Sequence, residues 1–330
     1  MKTSRPHLII IRSLLDAGDG FVSGSTLAEK LGISRVAIWQ HMEKLRERGF
    51  QFEAVRSRGY RLVRRPTHLD ALLIEARLPP SQSCRVITLE SVDSTNDEAM
   101  RQLSQGTQTP LVVIAQEQTQ GRGRLGRDWL SEPNGNLYLS FAFTPEATPD
   151  TLPTITPWIG VNLCNLLASY ARVSPQIKWP NDIQLNGLKV GGILTEARLD
   201  SDRIREVVIG CGLNLTPPAD GWSGALKGRA IALSEVAASA IDLNHFAAAM
   251  VGRLITACRT FHSGTFHDRL AELWHRYDAL RDREISLIHG NRTITGIAHG
   301  IDADGSLLLK EHQKDDIRRF RAGEVTLAKR

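Results

Sequence analysis

Three glycines, Gly121, Gly123 and Gly126, fall between two apolar runs that both read as β-strands, and this limits the fold more than any other stretch. On one side is Leu111-Val-Val-Ile-Ala115. On the other is Asn136-Leu-Tyr-Leu-Ser-Phe-Ala-Phe143, which alternates as a strand does. The spacing is that of the dinucleotide fingerprint G-x-G-x-x-G, but that loop must open a helix whose N-terminus holds the pyrophosphate. A strand in that place rejects the dinucleotide crossover. A protein kinase also covers ATP with strand, glycine loop and strand, yet no His-Arg-Asp or Asp-Phe-Gly sequence is present. Arg122, Arg124 and Arg127 interleave with the glycines. Glycine at positive φ turns backbone N–H groups inward as an anion nest, and arginine clamps carboxylate or phosphate oxygens. The loop therefore reads as a grip for a phosphate or acyl-phosphate, or else as a solvated basic turn.

The chain of 330 residues suits two or three domains. Four cysteines (Cys84, Cys164, Cys211, Cys258) lie far apart with no C-x-x-C pair, which speaks against a zinc knuckle or disulfide framework and for a reducing cytoplasm. They read as small buried hydrophobes. No apolar run reaches the length of a membrane span. Of 41 Lys/Arg, 13 fall within residues 1–66 against 6 of 36 Asp/Glu, so the net charge of +5 belongs to the N-terminal segment. Concentrated basicity on a small module is the footprint of a nucleic-acid binder.

That segment reads as a helix over Leu8–Leu15 and a second over Ser25–Leu31. A turn at Gly32-Ile33 follows, then a third helix capped by Ser34. Val36, Ile38, Met42 and Leu45 are expected in the core, leaving Arg35, Trp39, Gln40 and Lys44 for a DNA groove. Phe50–Val55 and Gly59–Val63 flank Arg56-Ser-Arg58 as a hairpin wing with a basic tip. The pattern resembles winged helix-turn-helix repressor domains, which implies a duplex-DNA-binding dimer. Arg64-Arg65-Pro66-Thr67 reads as a linker.

Farther along, Ser94-Thr95-Asn96 follows an apolar run, Arg85–Leu89, and marks either a helix cap or the polar end of a ligand pocket. Short strands carrying Gly and Asn at their ends follow, in Lys178-Trp-Pro-Asn-Asp182, Lys189-Val-Gly-Gly-Ile193 and Gly210-Cys-Gly-Leu-Asn214. Phe246 to Tyr277 reads as helical. Four short strands come last, Glu284–Ile288, Thr293–Ala298, Ser306–Lys310 and Ile317–Arg321, with Gly290-Asn291 and Asp304-Gly305 as turns.

Taken in order, Ser94-Thr95-Asn96, the loop Gly121–Gly126 and these three motifs resemble biotin protein ligases. With the N-terminal module, nearly the whole chain resembles the bifunctional class that is both ligase and biotin-operon repressor. The resemblance implies an α+β fold: winged helix-turn-helix (1–66), a mixed-sheet, class II synthetase-like catalytic domain (67–280) and an SH3-like barrel (281–330). It implies biotin, ATP and Mg2+, formation of biotinyl-5′-AMP, and transfer of biotin to a lysine of a biotin carboxyl carrier protein, a subunit of acetyl-CoA carboxylase. The adenylate would act as corepressor on operator DNA and promote a homodimer. Lys189, Arg122 and Arg124 would supply positive charge at the reacting centre, and the backbone of Gly121, Gly123 and Gly126, with Arg127, would fold over the adenylate. Ser94, Thr95, Asn96 and Gln118 would hold the ureido end of biotin, Trp129 would stack on adenine, and Gly192 would lie against the ligand. Asn181, Asp182 and Asn214 would lie along the nucleotide and magnesium side, with no residue set assigned to the metal itself. Trp222, in a Gly/Pro-rich stretch that departs from the family, is a second candidate for adenine, and Arg318, Arg319 and Arg321 for the nucleotide or acceptor protein. Rival readings are a lipoate or octanoate ligase, a repressor that senses biotin without catalysis, and a ligase whose winged helix no longer regulates.

Overall fold

The computed structural model describes residues 6–133, 136–200, 203–312 and 316–327. They group into two compact units, Met1–Thr88 with Asp242–Ala249, and Leu89–Ile241 with Met250–Arg330.

The first unit begins with α1 (Pro6–Asp16), α2 (Gly24–Leu31) and α3 (Arg35–Glu47). Gly32 ends α2 in the left-handed conformation, at φ 66°, and its N–H reaches back to the carbonyls of Ala28 and Glu29. Ser34 then caps α3 by accepting from the Ala37 N–H at 3.1 Å. The sharp turn between the helices is thus written in two adjacent local signals. Ile10, Ile11 and Leu14 of α1 pack with Leu27 of α2 and with Ile38, Met42 and Leu45 of α3. Val36 was expected in this core but is 67% exposed, because it falls one position off the buried stripe. The wing is β1 (Gln51–Val55) paired antiparallel with β2 (Gly59–Arg64). After Pro66, Asp70 caps α4 (Ala71–Arg77) by accepting from the Leu73 N–H at 2.8 Å. Leu72, Leu73 and Ala76 join the same core, and Arg12 of α1 donates to the terminal carbonyls of Glu75, Ala76 and Leu78.

The second unit is built on a seven-stranded sheet, numbered from β3 (Arg85–Val92). It continues through α5 (Thr95–Ser104), β4 (Leu111–Gln118), β5 (Leu137–Phe143), α6 (Leu152–Ala171), β6 (Pro175–Lys178), β7 (Asp182–Leu185), β8 (Leu188–Asp200) and β9 (Arg203–Leu213). The strand order is β3-β4-β5-β9-β8-β7-β6. Every residue of β5 is buried, as a central strand covered on both faces requires. α6 lies so close to the sheet that a Cβ on Gly160 would stand 2.1 Å from the Ile177 side chain. Its burial is nearly all-round, so α6 is an interior helix.

The single helical run expected over Phe246–Tyr277 is two helices, α7 (Leu243–His262) and α8 (His267–Tyr277). Between them Gly264 takes φ 72° and bonds back to the Phe261 carbonyl. The last strands are β10 (Glu284–His289), β11 (Arg292–Ile301), β12 (Leu307–Glu311), β13 (Ile317–Phe320) and β14 (Glu324–Leu327). They form an antiparallel sheet in the order β13-β12-β11-β10-β14, whose edge strands are not joined, so it stays open among the described residues. Gly290 (φ 59°) and Asn291 make the expected two-residue turn between His289 and Arg292. β14 has no counterpart in the sequence reading, because four residues between turns leave almost no period to detect. Cys164, Cys211 and Cys258 are buried as expected, whereas Cys84 is partly exposed. No described helix is long and apolar enough to cross a membrane.

Candidate functional site

β4 runs into the arginine–glycine loop, and β5 returns antiparallel to it, as the strand–loop–strand pattern requires. Of the three glycines only Gly126 uses a left-handed backbone, at φ 70°, and Leu125 joins it at φ 57°. At Gly121 the constraint is space, since a Cβ would stand 2.5 Å from Ser131 Oγ and 2.6 Å from the Trp129 carbonyl. The N–H groups of Gly123, Arg127 and Trp129 bond to the carbonyls of Arg127, Arg124 and Gly121. Those three donors hold the loop in shape rather than face a ligand, which corrects part of the nest reading.

Beneath the loop lies a cleft of about 780 Å³. Its floor is bare backbone of β8 and β9, paired Gly192 to Gly212 and Leu194 to Gly210. Trp129 lies on that floor, within 2.6 Å of where a Gly212 Cβ would be. The expectation of an adenine platform thus meets a different setting, in which Trp129 is packed on glycines with the Lys189 Nζ 5.1 Å from its ring centre. Such a close approach of a cation to an indole is electrostatically favourable.

One end of the cleft carries uncharged polar side chains, with the ion cluster of Arg122 and Glu196 beside them. Ser94 caps α5, its hydroxyl accepting from the Asp97 N–H. Gln118 Oε1 accepts from both the N–H and the hydroxyl of Thr95, at 2.9 and 3.0 Å, while its Nε2 donates to Ser131 at 2.9 Å. Ser140, wholly buried on β5, donates to Thr95 Oγ1 at 2.8 Å or to Asn96 Oδ1 at 2.6 Å. Ser94 is therefore a helix cap, and Ser94, Thr95 and Asn96 all line the cleft.

The other end is cationic. Lys189 Nζ is 2.6 Å from Asp182 Oδ1. Arg124 is half-buried and donates weakly to Asn181 Oδ1 at 3.4 Å and the Gly323 carbonyl at 3.5 Å. Its burial holds the guanidinium below its ordinary pKa, and burial does the same to the Lys178 amine, which lines the same cleft. Arg127 pairs with Glu324, which raises its pKa. Asn181 also donates to the Ile193 carbonyl at 2.8 Å, and Asn214 Nδ2 reaches the carbonyls of Lys189 and Ile231, so both fasten the rim.

Arg122 differs from the reading of a free charge at the reacting centre. Its guanidinium forks onto Asp97, with Nη2 2.7 Å from Oδ1, and onto Glu196 at 3.1 Å. The hydrogen bonds to Asp97, above all, raise its pKa above the ordinary arginine value. Asp97, Glu196 and Ser140, which bond to the lining residues Arg122 and Asn96, were invisible in the sequence, since single polar residues on strands and helices carry no motif. Glu324 and Arg283, on the cleft wall, were missed for the same reason. Arg318, Arg319 and Arg321 are instead engaged by neighbouring carboxylates, Arg318 with Glu311 and the other two with Asp304, and none lines this cleft. Trp222 donates to Glu235 at 3.0 Å and is likewise outside the wall. Trp179 is core, 2% exposed, with its indole N–H on the Gly305 carbonyl.

In the first unit Arg35, Trp39, Gln40 and Lys44 are all exposed along α3, and Arg56 and Arg58 stand at the exposed wing turn. Arg58 lies over the Phe21 ring at 4.2 Å, which steadies the tip.

Comparison with known proteins matches residues 88–214 to the biotin/lipoate A/B protein ligase family, 8–61 to a helix-turn-helix domain and 282–327 to the biotin protein ligase C-terminal domain. The chain is 32% identical to the bifunctional ligase/repressor BirA of Bacillus spizizenii, covering 98% of this chain and 99% of that protein. It is 33% identical to the protein of the same name from Escherichia coli K12, covering 99% and 98%. Among solved structures it resembles biotin protein ligase from Aquifex aeolicus in complex with biotin and ATP, at TM-score 0.61 and 27% identity over 74% of this chain and 99% of that one.

Proposed function

We propose, from the premise that this chain belongs to the bifunctional ligase/repressor branch of the biotin/lipoate A/B protein ligase family, that it is an ATP-dependent biotin protein ligase with a DNA-binding repressor domain. One observation carries the reading: a single cleft joins an uncharged hydrogen-bonding end (Thr95, Asn96, Gln118) to a cationic end (Arg124, Lys178, Lys189) across a glycine floor. A vitamin with a neutral ureido head and a carboxylate tail, meeting a nucleotide phosphate, needs that polarity.

In the first step a biotin carboxylate oxygen attacks the α-phosphorus of ATP. The bond to the bridging oxygen breaks, and pyrophosphate leaves with the electron pair. Lys189 and Arg124 offset the repulsion between the two anions and the charge developing at phosphorus. In the second step a neutral lysine ε-amine of a carrier domain attacks the acyl carbon, the acyl C–O bond breaks, AMP leaves with its electron pair, and the nitrogen gives up a proton to solvent as the amide forms. Mg2+ would arrive on the nucleotide phosphates, with Asp182 the carboxylate on the cleft wall that would meet it or its waters. The carrier would be a biotin carboxyl carrier protein of acetyl-CoA carboxylase, and the adenylate would act as corepressor by promoting a homodimer on operator DNA. We read the open C-terminal sheet as an SH3-like module, and the buried thiols of Cys164, Cys211 and Cys258 as those of a cytoplasmic enzyme.

The test is pyrophosphate exchange into ATP with biotin, lipoate or octanoate as the acid, with transfer of labelled biotin to a carrier domain. Exchange driven by lipoate or octanoate alone would move the protein to the sister activity. No adenylate with any acid would leave a sensor that represses without catalysis.

A further inference from the structure

We propose that Glu196 is a positioning residue for biotin, joining the vitamin end of the cleft to the arginine–glycine loop through one carboxylate. The proposal rests on the reading of Asn96 as a biotin contact. Along β8 alternate residues share a face, so Glu196 projects on the same side as Gly192 and Leu194. Its Oε2 accepts from Asn96 Nδ2 at 2.6 Å and from Arg122 Nη2 at 3.1 Å, and its Oε1 accepts from the same Arg122 nitrogen.

Three features make this more than a surface ion pair. First, Asn96 is 3% exposed and its amide is held in one orientation, with Nδ2 on Glu196 and the Leu194 carbonyl, and Oδ1 facing the Ser140 hydroxyl. Without the carboxylate, the strongest of those contacts is gone and the amide is free to turn over. Second, the opposing strand leaves room for this arrangement, because a Cβ on Gly210 would stand 2.5 Å from Asn96 Oδ1. Third, Arg122 already forks onto Asp97, so Glu196 is a second carboxylate on one guanidinium. The pair of acids holds the first arginine of the loop against α5. Arg122 therefore acts on loop position and vitamin geometry, and the charge facing the nucleotide falls to Arg124, Lys178 and Lys189.

The test compares Asn96→Ala, Glu196→Gln and the double variant in pyrophosphate exchange, with KM for biotin and for ATP measured separately. Glu196→Gln keeps the side-chain shape and one acceptor oxygen, but with that oxygen on Asn96 its NH2 group faces the Arg122 guanidinium, and the negative charge is lost from both contacts. The expected result is a rise in KM for biotin of about tenfold, the size of a lost charged hydrogen bond. KM for ATP and kcat should change far less, and the double variant should be no worse than Asn96→Ala, because the two residues act as one unit. Should the Gln variant not fold, Glu196→Asp is measured instead, and its shortened reach should raise KM for biotin in the same way. If Asn96→Ala raises KM for biotin while the Glu196 variants leave it unchanged, or if the two effects add, the proposal is overturned and the site reading stands. If Asn96→Ala itself leaves KM for biotin unchanged, the reading of the vitamin end fails, and Glu196 falls with it.

Discussion

The Lys189 ammonium rests 2.6 Å from Asp182 Oδ1, on adjacent strands, in a bulged part of the β7–β8 pairing. The carboxylate holds the cation ready at the cationic end without burying it, since both side chains are partly exposed. Removing the cation should therefore affect chemistry far more than folding. Lys189→Ala is expected to lower adenylate formation by about a hundredfold or more, as loss of one preorganised donor does. Its melting temperature should stay near that of the unaltered protein. Pyrophosphate exchange beside a thermal melt checks both; full exchange activity would remove Lys189 from the mechanism.

The Trp129 indole packs where Gly212 has no side chain. Gly212→Ala would drive a methyl to within 2.6 Å of the ring, with no flexible end to yield. The expected cost is ~1–3 kcal/mol of stability, together with weakened biotin binding, because Trp129 must leave the floor. Calorimetric titration with biotin and a denaturant melt read the two effects separately.

Lys178 titrates below the ordinary lysine range because burial disfavours its charged form. An anionic nucleotide favours the charged form, so binding should take up a proton where the free amine has begun to lose its own. Nucleotide affinity is then expected to fall, as pH rises, earlier than an unperturbed lysine would allow. Lys178→Arg should carry the affinity to higher pH. Coincident pH profiles for the two proteins would count against this.

Along α3, Lys44 is exposed, and under the proposed reading its ammonium lies along the DNA groove within the field of the phosphates. Lys44→Ala should weaken duplex binding on every sequence and reduce the slope of log affinity against log salt by ~1. Ligase activity is expected to be unchanged. A retardation series across salt concentrations, with biotin transfer measured in parallel, decides it.

Much was legible in the sequence because its cause is local. Gly32 followed by Ser34 gives a left-handed stop and then a side-chain cap, whatever the rest of the chain does. Gly290-Asn291 makes its turn for the same reason, and the continuous apolar run of β5 announces a strand covered on both faces. The loop from Gly121 to Gly126 was found by composition, and its strand–loop–strand context correctly excluded a dinucleotide fold.

Three things lay beyond any local signal. Arg122 meets Asp97 and Glu196 across 25 and 74 residues. Glu324 reaches Arg127 from the last strand. α4 joins the core of the N-terminal helices. A side chain's chemistry belongs to the residue, but its partner depends on how distant strands come into register, and one guanidinium reads alike in the sequence whether it faces a phosphate or two carboxylates. The sequence by itself determined where the chain bends, caps and alternates, and which loop carries the cations. Only the tertiary structure decided which of those cations meet a carboxylate, as Arg122 and Arg127 do.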